Sequence, residues 1–583
     1  MASLQRTRVN GTTYWRIVES RRINGKPRAI PILQLGTADA LLERLLGSTG
    51  GTMQLKTFQH GDIASLIAIA HRLGLAEIID RHVPLSDRVG KDARQRPSVG
   101  TTMVLAACNR AIRPRSKRGW ASWAAGTSLS QLIPGLKTKR LTSQFFWDQM
   151  HRIPISTLPA IESELAAVLV KEMGISLDTF FYDTTNFFTY IDSTNAHCAV
   201  PQRGHSKQKR SDLRLFGLAL LVSRDGQIPL CSHVYPGNQA DVTEFPPALT
   251  LIRQRLADLS VNLQDVTLVY DRGNLSEKNQ GLVDSFACGY VSALVPAQHR
   301  DLMAVPLSTY QSAAEGPLAG VPVHRTSKTV WGRERTVVLY VSETLRSGQQ
   351  RGLDQHLARA QKTLNDWKQR LGKPRSGVRS AVMIDRRIER ILAPQFLKRV
   401  LHISYDREKK GSERLQWSVD HAAYDALCRD YFGKRILISN RDQWSSEEII
   451  RAYRGQSQIE NAFRQSKDDE HFAMRPQFHW TDQKIHVHAF ICLLALMMGR
   501  LIERTARTLG RTESLSSLMD ELETIRLAMV LTKSGSKAGR PRAEWMLEKT
   551  ETKSLELFQA LVPNAPPFVY TQSVAASPSE ITA

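Results

Sequence analysis

The stretch LDTFFYDTTNFFTY, residues 177–190, is rich in aromatic and β-branched side chains. Such side chains are enriched in β-strands, so the stretch predicts a strand. Asp183 stands in its middle, where an ionised carboxylate is costly unless it is paired or binds a metal. The sequence therefore predicts a buried strand that carries a functional aspartate.

The segments after this strand predict an α/β unit. Two apolar segments joined by the turn RDGQ predict a hairpin, and a helix, a strand, a helix and a further strand follow. The main segments are 213–223 and 228–237 for the hairpin, 241–259 for the first helix, and 265–273 and 289–296 for the strands. This order predicts a mixed sheet covered by helices. The first of the later strands ends in Asp271 and a glycine turn, and ligand sites in α/β sheets favour such strand ends.

A second important segment is YRGQSQIENAFRQSK, residues 453–467, which has the length of a helix. The capping box SSEE at 445 predicts the start of the helix that runs into it. A polar stripe within an arc of roughly 60° on this helix is formed by Tyr453, Gln456, Glu460 and Lys467. Arg464 flanks the stripe. The segment is either a surface helix with a salt-bridging pair or one wall of a site.

Three carboxylates converge if the strands of Asp183 and Asp271 are neighbours and the helix of Glu460 packs across them. Carboxylate oxygens are hard ligands that suit Mg²⁺ or Mn²⁺. Two such ions, about 3.5 to 4 Å apart, activate a water or a 3′-hydroxyl and stabilise the leaving oxygen of a phosphodiester. Because the chain has 56 acidic residues, the triad alone is weak evidence for phosphoryl transfer on DNA or RNA.

The composition predicts a multidomain protein with a polyanionic partner. A chain of 583 residues exceeds one hydrophobic core, and its net charge of +23 favours nucleic acid or, as the rival, a membrane surface. The longest apolar run, 489–499, is shorter than the roughly 18 to 20 residues that span a bilayer, which predicts a buried core helix. The absence of a CxxC pair and of an apolar opening segment predicts a cytoplasmic protein without a zinc module.

Three basic segments are candidates for contact with a phosphate backbone. Residues 109–123 combine five basic side chains with two tryptophans, although a solvated helix end would have a similar composition. The loop 202–214 carries Lys207 and Arg210. Residues 532–545 form a basic linker that contains GRPR, a weak match to a minor-groove sequence.

Five motifs together resemble those of DDE transposases of bacterial insertion sequences, and they occur in the same order. The motifs are FYDTTNFFTY, RGHSKQKRSDLRLFGLALLVSRDGQIPL, YPGNQADVTEF, VYDRGNLSEKN and YRGQSQIENAFRQSK. The branch that the chain resembles has the signature Tyr, two residues, Arg, three residues, Glu, six residues, Lys. Tyr453, Glu460 and Lys467 match this spacing. The resemblance implies an α/β fold with a ribonuclease-H-like mixed sheet interrupted by a β-rich insertion.

The resemblance and the local patterns predict five regions. They are a β-hairpin plus helical DNA-binding region at 1–150, the first part of the catalytic domain at 151–300, the insertion at 301–434, the second part of the catalytic domain at 435–505, and a helical C-terminal region and tail at 506–583. An apolar seam from Leu515 to Met529 predicts a helix in the last region. This helix packs in the core or contacts a second copy.

By the resemblance, Asp183, Asp271 and Glu460 are the catalytic residues and the ligands of two Mg²⁺ or Mn²⁺ ions. Tyr453 and Lys467 then contact phosphates beside the scissile bond.

The chain departs from the signature at one position, because Gln456 stands where the arginine is expected. Arg454 would lie about 200° away on a continuous helix, so it could not take the place of that arginine. Gln456 then makes a neutral phosphate contact, or the contact is weakened.

Further candidates for DNA contact are Arg464, Lys207 and Arg210. Relatives carry a tryptophan in the insertion that stacks on a flipped base, and Trp331 is the candidate by its location. A core or surface role for this tryptophan is the alternative.

The implied activity is that of a transposase that binds terminal inverted repeats through its N-terminal 150 residues. It would work as a homodimer on double-stranded DNA in the cytoplasm, associated with the nucleoid when bound and without a membrane partner. The released 3′-hydroxyl would attack target DNA. The alternatives are a metal-dependent nuclease without strand transfer and a domesticated or decayed copy that only binds DNA. Gln456 leaves the last alternative open.

Overall fold

The computed structural model describes most of the chain. The described ranges are 2–9, 12–23, 26–38, 53–84, 96–192, 194–204, 210–312, 318–372, 380–532, 542–548, 550–563 and 569–570. Lys207 and most of the predicted GRPR linker lie outside these ranges.

The strands of the described residues form four sheets. In chain order they are β1 Ala2–Val9, β2 Thr12–Ile23, β3 Lys26–Thr37, β4 Met53–Gln59, β5 Thr179–Thr189, β6 Arg214–Ser223, β7 Pro229–Pro236, β8 Thr267–Tyr270, β9 Gly289–Ala293, β10 Gln311–Ser312, β11 Pro322–Val330, β12 Arg333–Val341, β13 Leu401–Tyr405, β14 Leu415–Val419, β15 Lys434–Ser439, β16 Arg526–Thr532, β17 Arg542–Leu547 and β18 Val569–Tyr570.

The α-helices surround the largest sheet. In chain order they are α1 Gly61–Arg72, α2 Leu75–His82, α3 Val99–Ile112, α4 Trp120–Ala125, α5 Leu129–Leu132, α6 Ser143–His151, α7 Leu158–Met173, α8 Asp241–Asp258, α9 Glu277–Phe286, α10 Arg300–Ala304, α11 Glu343–Leu371, α12 Ala381–Leu392, α13 Leu397–Val400, α14 His421–Ala426, α15 Ser446–Arg454, α16 Ser457–Ser466, α17 Asp482–Thr508, α18 Leu515–Glu523 and α19 Thr552–Leu561.

The central sheet has nine strands in the order β10-β11-β12-β15-β9-β8-β5-β6-β7. β5, β6 and β7 form an antiparallel meander, and β8 and β9 run parallel to β5. The mixed α/β sheet predicted from the sequence is confirmed in this part, including the hairpin of β6 and β7. Residues of β8 and β9 are buried throughout, as expected for parallel strands covered by helices on both faces.

The two faces of the sheet carry separate apolar clusters because side chains alternate along each strand. In β5, Phe180 and Tyr182 pack in a large core with the N-terminal helices and α17. Phe181 and Phe187 face the other side and pack against α15 and α16. Asp183 follows Phe181 by two residues, so its side chain lies on the same face of the strand, which α15 and α16 cover.

The insertion between β9 and β15 differs from the predicted β-rich domain of 301–434. Its longest strands, β11 and β12, extend the central sheet through β15. Beyond β12 the chain is mainly helical from α11 to α14, with only the short hairpin of β13 and β14 between them. The prediction of a β-rich insertion is therefore wrong, because the strand-like segments pair with β15, more than 90 residues away in the sequence.

The segment 445–508 contains three helices, of which α15 and α16 cover one face of the sheet and α17 packs mainly in the core on the other face. The capping box predicted at 445 is present, since Ser445 and Glu448 exchange hydrogen bonds at the start of α15. The predicted single helix over 453–467 is broken after Arg454, and α16 begins at Ser457. α17 is long and apolar enough to cross a membrane, but 94% of its apolar window is buried inside the protein. The prediction of a buried core helix is confirmed.

The C-terminal region is not purely helical as predicted for 506–583. The seam that starts at Leu515 forms α18, which ends at Glu523, and its apolar residues are buried in the main core. Met529 lies in β16, which pairs with β4 from the N-terminal region. The sheet order is β18-β17-β16-β4. The helical spacing continues to Met529, but β16 pairs with a strand about 470 residues away, and local periodicity cannot reveal such a pairing.

Asp62 on α1 makes the stability of this region depend on pH. The residue is 1% exposed, and its carboxylate accepts hydrogen bonds from Gln59 and from the Ile63 N–H. Burial, together with the nearby charge of Glu523, raises the pKa of Asp62 to about 7, although the hydrogen bonds from Gln59 and Ile63 oppose this rise. Between about pH 4 and 7 the folded chain therefore binds more protons at this site than the unfolded chain. The free energy of unfolding falls as the pH rises through this window.

Asp62→Asn is expected to remove this dependence, because the amide carries no charge at any pH in the window. The variant should be more stable than wild type at pH 8 by up to about 4 kcal/mol and should match it near pH 4. Urea unfolding of both proteins at a series of pH values measures the difference. If the free energy of unfolding of Asp62→Asn fell with rising pH as steeply as that of wild type, the account would be contradicted.

Candidate active site

Asp183 and Asp271 come together because their strands are parallel neighbours. Tyr182 of β5 pairs with Tyr270 of β8, so the next residue along each strand is one of the two aspartates. Asp183 lies within β5, and Asp271 follows directly after β8. The strand geometry thus places both carboxylates at the carboxyl end of β8, where the sheet opens to form a cleft.

Glu460 reaches the same place on α16. Gly455 allows the preceding turn to approach the sheet, because a Cβ added there would lie 2.5 Å from Cζ of Phe181. At this turn the bonds from Gln456 N–H to the Tyr453 carbonyl and from Gln458 N–H to the Gly455 carbonyl span three residues rather than four. α16 then packs on β5 with Ile459 and Phe463 buried and Glu460 turned outwards.

A cleft of about 560 Å³ contains all three predicted carboxylates and the whole predicted stripe. Its lining consists of Asp183, Thr184, Thr185, Asn186, Phe188, Leu215, Asp241, Asp271, Tyr340, Ser342, Arg435, Tyr453, Arg454, Gln456, Ser457, Glu460 and Lys467. Residues remote in the sequence therefore form one polar site.

Hydrogen bonds fix the positions of several of these side chains. The Tyr453 hydroxyl donates to Oδ1 of Asp271 at 3.1 Å. Lys467 Nζ donates to the Thr185 hydroxyl at 2.5 Å and lies 5.4 Å from the centre of the Phe187 ring. Oδ1 of Asp183 accepts from the Thr184 N–H at 2.8 Å. The stripe is thus connected to both strands that carry the aspartates.

The carboxylates interact electrostatically. Burial, together with the charges of Asp271, Asp241 and Glu460, raises the pKa of Asp183 to about 7, although the hydrogen bond from the Thr184 N–H opposes this rise. Mutual repulsion of this kind disfavours the charged carboxylates unless a cation is present. The site therefore favours a positively charged ligand near Asp183.

The donor set fits Mg²⁺ or Mn²⁺ by its chemistry, since carboxylate oxygens are the ligands that these ions prefer. Within the described ranges, no group of three or more His, Cys, Asp and Glu side chains is already close enough to hold a metal ion. The predicted convergence is thus present as a shared cleft and not as a preformed metal cage. Glu460 is exposed, so its side chain has room to change rotamer.

Asp241 is a fourth carboxylate of the cleft, and the sequence reasoning missed its place there. It is the first residue of α8 and accepts a hydrogen bond from the Tyr235 hydroxyl at 3.0 Å. The signal was present in YPGNQADVTEF, which contains both residues, but nothing in that motif shows that α8 begins beside β5.

Arg454 lies on the cleft together with Gln456, which corrects the expectation that it would face away. That expectation assumed a continuous helix, whereas the helix is broken between the two residues. Arg435, at the start of β15, is another cation of the cleft that the sequence reasoning missed.

Four predicted contact residues are not among those that line the cleft. Arg464 is exposed on α16 outside the lining, and Lys207 lies outside the described residues. Arg210 is exposed and forms an ion pair with Asp212 at 2.6 Å. Trp331 occupies the turn between β11 and β12 with a φ of 48°.

The position of Trp331 excludes it from the cleft. Val337 of β12 pairs with Ile438, which pairs with Ser292 of β9, close to the level of Tyr270. Trp331 precedes Val337 by six residues, which is about 20 Å along the strand, in the direction away from Asp271. The hairpin joins the sheet with its turn at the opposite end of the strands, so Trp331 does not line the cleft, and its contact with a flipped base stays a prediction.

The basic segment 109–123 does not present its tryptophans to solvent. Trp120 and Trp123 are 3% and 9% exposed and belong to the main core. Arg113, Arg115 and Arg118 remain exposed around them. The prediction that aromatic and basic side chains of this segment contact DNA together is therefore wrong for the two tryptophans, which are buried.

Comparison with known proteins shows similarity to one protein family. A family model described as a transposase DDE domain matches residues 188–498, a range that includes Asp271 and Glu460 and begins after Asp183. No curated protein matches the chain. Among solved structures, a piggyBac transposase in a synaptic complex with hairpin DNA is 7% identical, with 79% of each chain covered and a TM-score of 0.35. This structural likeness is too low to support any residue of the site.

Proposed function

The chain belongs to the transposase DDE domain family, and from this premise we propose that it cuts the ends of a mobile element and joins them to target DNA. The reaction would be metal-dependent phosphoryl transfer at Asp183, Asp271 and Glu460. The observation that carries the proposal is the single cleft that holds these three carboxylates beside Lys467, Arg435 and Arg454. Acidic and basic side chains on one cleft suit a metal ion and a phosphodiester together.

The catalytic part of the chain is proposed to be ribonuclease-H-like. The strand order β7-β6-β5-β8-β9 supports this, with an antiparallel meander followed by two strands parallel to β5. Asp183 on β5, Asp271 after the parallel strand β8 and Glu460 on the covering helix α16 would then act together.

Asp183, Asp271 and Glu460 would hold two Mg²⁺ or Mn²⁺ ions. When bound, these ions supply Lewis-acid stabilisation of the phosphodiester oxygens and a more acidic nucleophile. The Tyr453 hydroxyl orients Asp271 through their hydrogen bond. Lys467 and Gln456 would contact phosphates beside the scissile bond, and exposed Arg464 and the loop of Lys207 and Arg210 would contact DNA further away.

The proposed partner is double-stranded DNA that carries terminal inverted repeats, followed by target DNA. The net charge of +23 supports a polyanionic partner. Residues 1–150 are proposed to bind the repeats, and two copies of the chain are proposed to pair two ends. An origin in a bacterial insertion sequence predicts short inverted repeats on both sides of the reading frame.

A strand-transfer assay tests the proposed function. Labelled duplexes from both flanks of the reading frame are incubated with the protein, a target plasmid and either Mg²⁺ or EDTA. We expect cleaved ends with free 3′-hydroxyls and joined products with Mg²⁺, and neither with EDTA. Cleavage without joining would indicate a nuclease, and retention of DNA without cutting would indicate a copy that only binds.

A further inference from the structure

We propose that Arg435, Arg454 and Gln456 form a second binding subsite of the cleft, which takes a backbone phosphate of the same DNA strand that lies at the carboxylates. The inference rests on the proposed function for the identity of the strand. Its three residues come from β15, from the end of α15 and from the turn before α16.

The two arginines form the basic wall of the cleft. Arg435 pairs with Tyr340 across β15 and β12, and the guanidinium of Arg454 lies 5.5 Å from the centre of the Tyr340 ring. In the described part of the chain, neither arginine forms an ion pair with a carboxylate. Two neighbouring guanidinium groups without a counterion repel each other, so an anion between them would be bound favourably.

Gln456 adds an independent sign of a missing ligand. The residue is 7% exposed, and its Nε2 atom is buried without a hydrogen-bond partner among the described residues. A buried donor without a partner is costly, so such groups are usually satisfied by a ligand or water. The side chain lines the same cleft as both arginines. A phosphate oxygen is an acceptor that would satisfy it.

Tyr453 interacts with both parts of the cleft. Its hydroxyl donates a hydrogen bond to Asp271, and the charge of Arg435 acts on the same hydroxyl. The cleft therefore has an acidic part for cations and a basic part for an anion. A DNA strand offers successive phosphates that could occupy both parts at once.

This arrangement explains how the chain tolerates glutamine at the signature position. The broken helix turns Arg454 towards the cleft, and β15 contributes Arg435 beside it. Two charges from other positions would thus replace the one that is missing at 456. Gln456 keeps a neutral donor in the subsite.

The test is the salt dependence of duplex DNA binding, measured in EDTA so that it does not depend on cleavage. Each lost phosphate contact lowers the slope of log K against log salt by about one. We expect a slope lower by about one for the Arg435→Ala, Arg454→Ala double variant, because the subsite holds one phosphate, and a smaller decrease for either single variant. Arg451→Ala is the matched control, since Arg451 is exposed on the same helix and lies beside Glu447.

A rescue variant separates the subsite from a general loss of charge. Adding Gln456→Arg to Arg454→Ala should restore the slope. If wild type cuts DNA, we expect Arg454→Ala to cut about tenfold more slowly and the added Gln456→Arg to restore the cleavage rate. Circular dichroism melts confirm that every variant folds. An unchanged slope in the double variant, or an equal loss in Arg451→Ala, would overturn the proposal.

Two further outcomes separate related explanations. If inorganic phosphate binds wild type at these arginines without competing with DNA, the subsite takes free phosphate and the assignment to DNA is wrong. If wild type binds DNA with the expected slopes but cuts no end, the subsite stands and the proposed transposase activity fails.

Discussion

Asp271→Asn is expected to lower the rate of DNA cleavage by at least about 10³-fold while DNA binding in EDTA is retained. The asparagine side chain has the same size and still accepts a hydrogen bond from the Tyr453 hydroxyl. It lacks the negative charge that a divalent ion requires. Asp183→Asn and Glu460→Gln should lower the rate by similar factors, because the three carboxylates are proposed to bind the metal ions as one unit. Single-turnover cleavage of end-labelled duplexes gives the rates.

Glu277→Gln is the matched control for these variants. Glu277 is exposed at the start of α9, follows Asp271 closely in the sequence and does not line the cleft. Its variant should cut at the wild-type rate. The assignment fails if any of the three cleft variants keeps a rate within tenfold of wild type.

Arg335→Ala is expected to lower the free energy of unfolding by about 3 to 5 kcal/mol, the cost of breaking a buried ion pair. Arg335 is 4% exposed and donates to both carboxylate oxygens of Asp284 at 2.9 and 2.6 Å. It also donates to the Val330 carbonyl at 3.1 Å and to the Tyr290 hydroxyl. These contacts join the β11–β12 hairpin to α9 and β9. Urea unfolding measures the change.

Arg333→Ala provides the comparison on the same strand. The Arg333 side chain is 64% exposed and lies 3.6 Å from the same Asp284 carboxylate. An exposed ion pair contributes about 0 to 1 kcal/mol, so this variant should be almost as stable as wild type. Equal effects of the two substitutions would contradict the stabilising role assigned to the buried ion pair between Arg335 and Asp284.

The sequence was sufficient to predict the part of the fold that local patterns encode. β5, the β6–β7 hairpin, β8 and β9 are apolar runs bounded by turns, and α15 starts at a capping box. The structure agrees with these elements because each depends on neighbours in the sequence.

Pairing between distant segments could not be read in the same way. β11 and β12 look like the strands of a separate domain, yet β12 pairs with β15 and joins β11 to the central sheet. Met529 continues a helical seam by its spacing, yet it lies in a strand beside β4. In both places the partner strand decides the structure, and the partner is invisible to local periodicity.

The candidate site shows the same division. Asp183, Asp271 and Glu460 could be selected because each stands in a distinctive local context, and they line one cleft. Asp241 and Arg435 have no such context and reach the cleft through the packing of α8 and β15. The sequence does not reveal the break after Arg454, because no proline stands there and the close approach of Gly455 to Phe181 depends on a strand about 270 residues away.

The central claim is that Asp183, Asp271 and Glu460 bind metal ions together. Replacing Mg²⁺ by Fe²⁺ and adding ascorbate and peroxide produces hydroxyl radicals that cut the polypeptide next to the bound iron. We expect cuts near all three positions in wild type, suppressed by excess Mg²⁺ and lost together in Asp271→Asn. Cuts confined to other segments, or cuts near one of the three positions that persist in Asp271→Asn, would contradict a shared site.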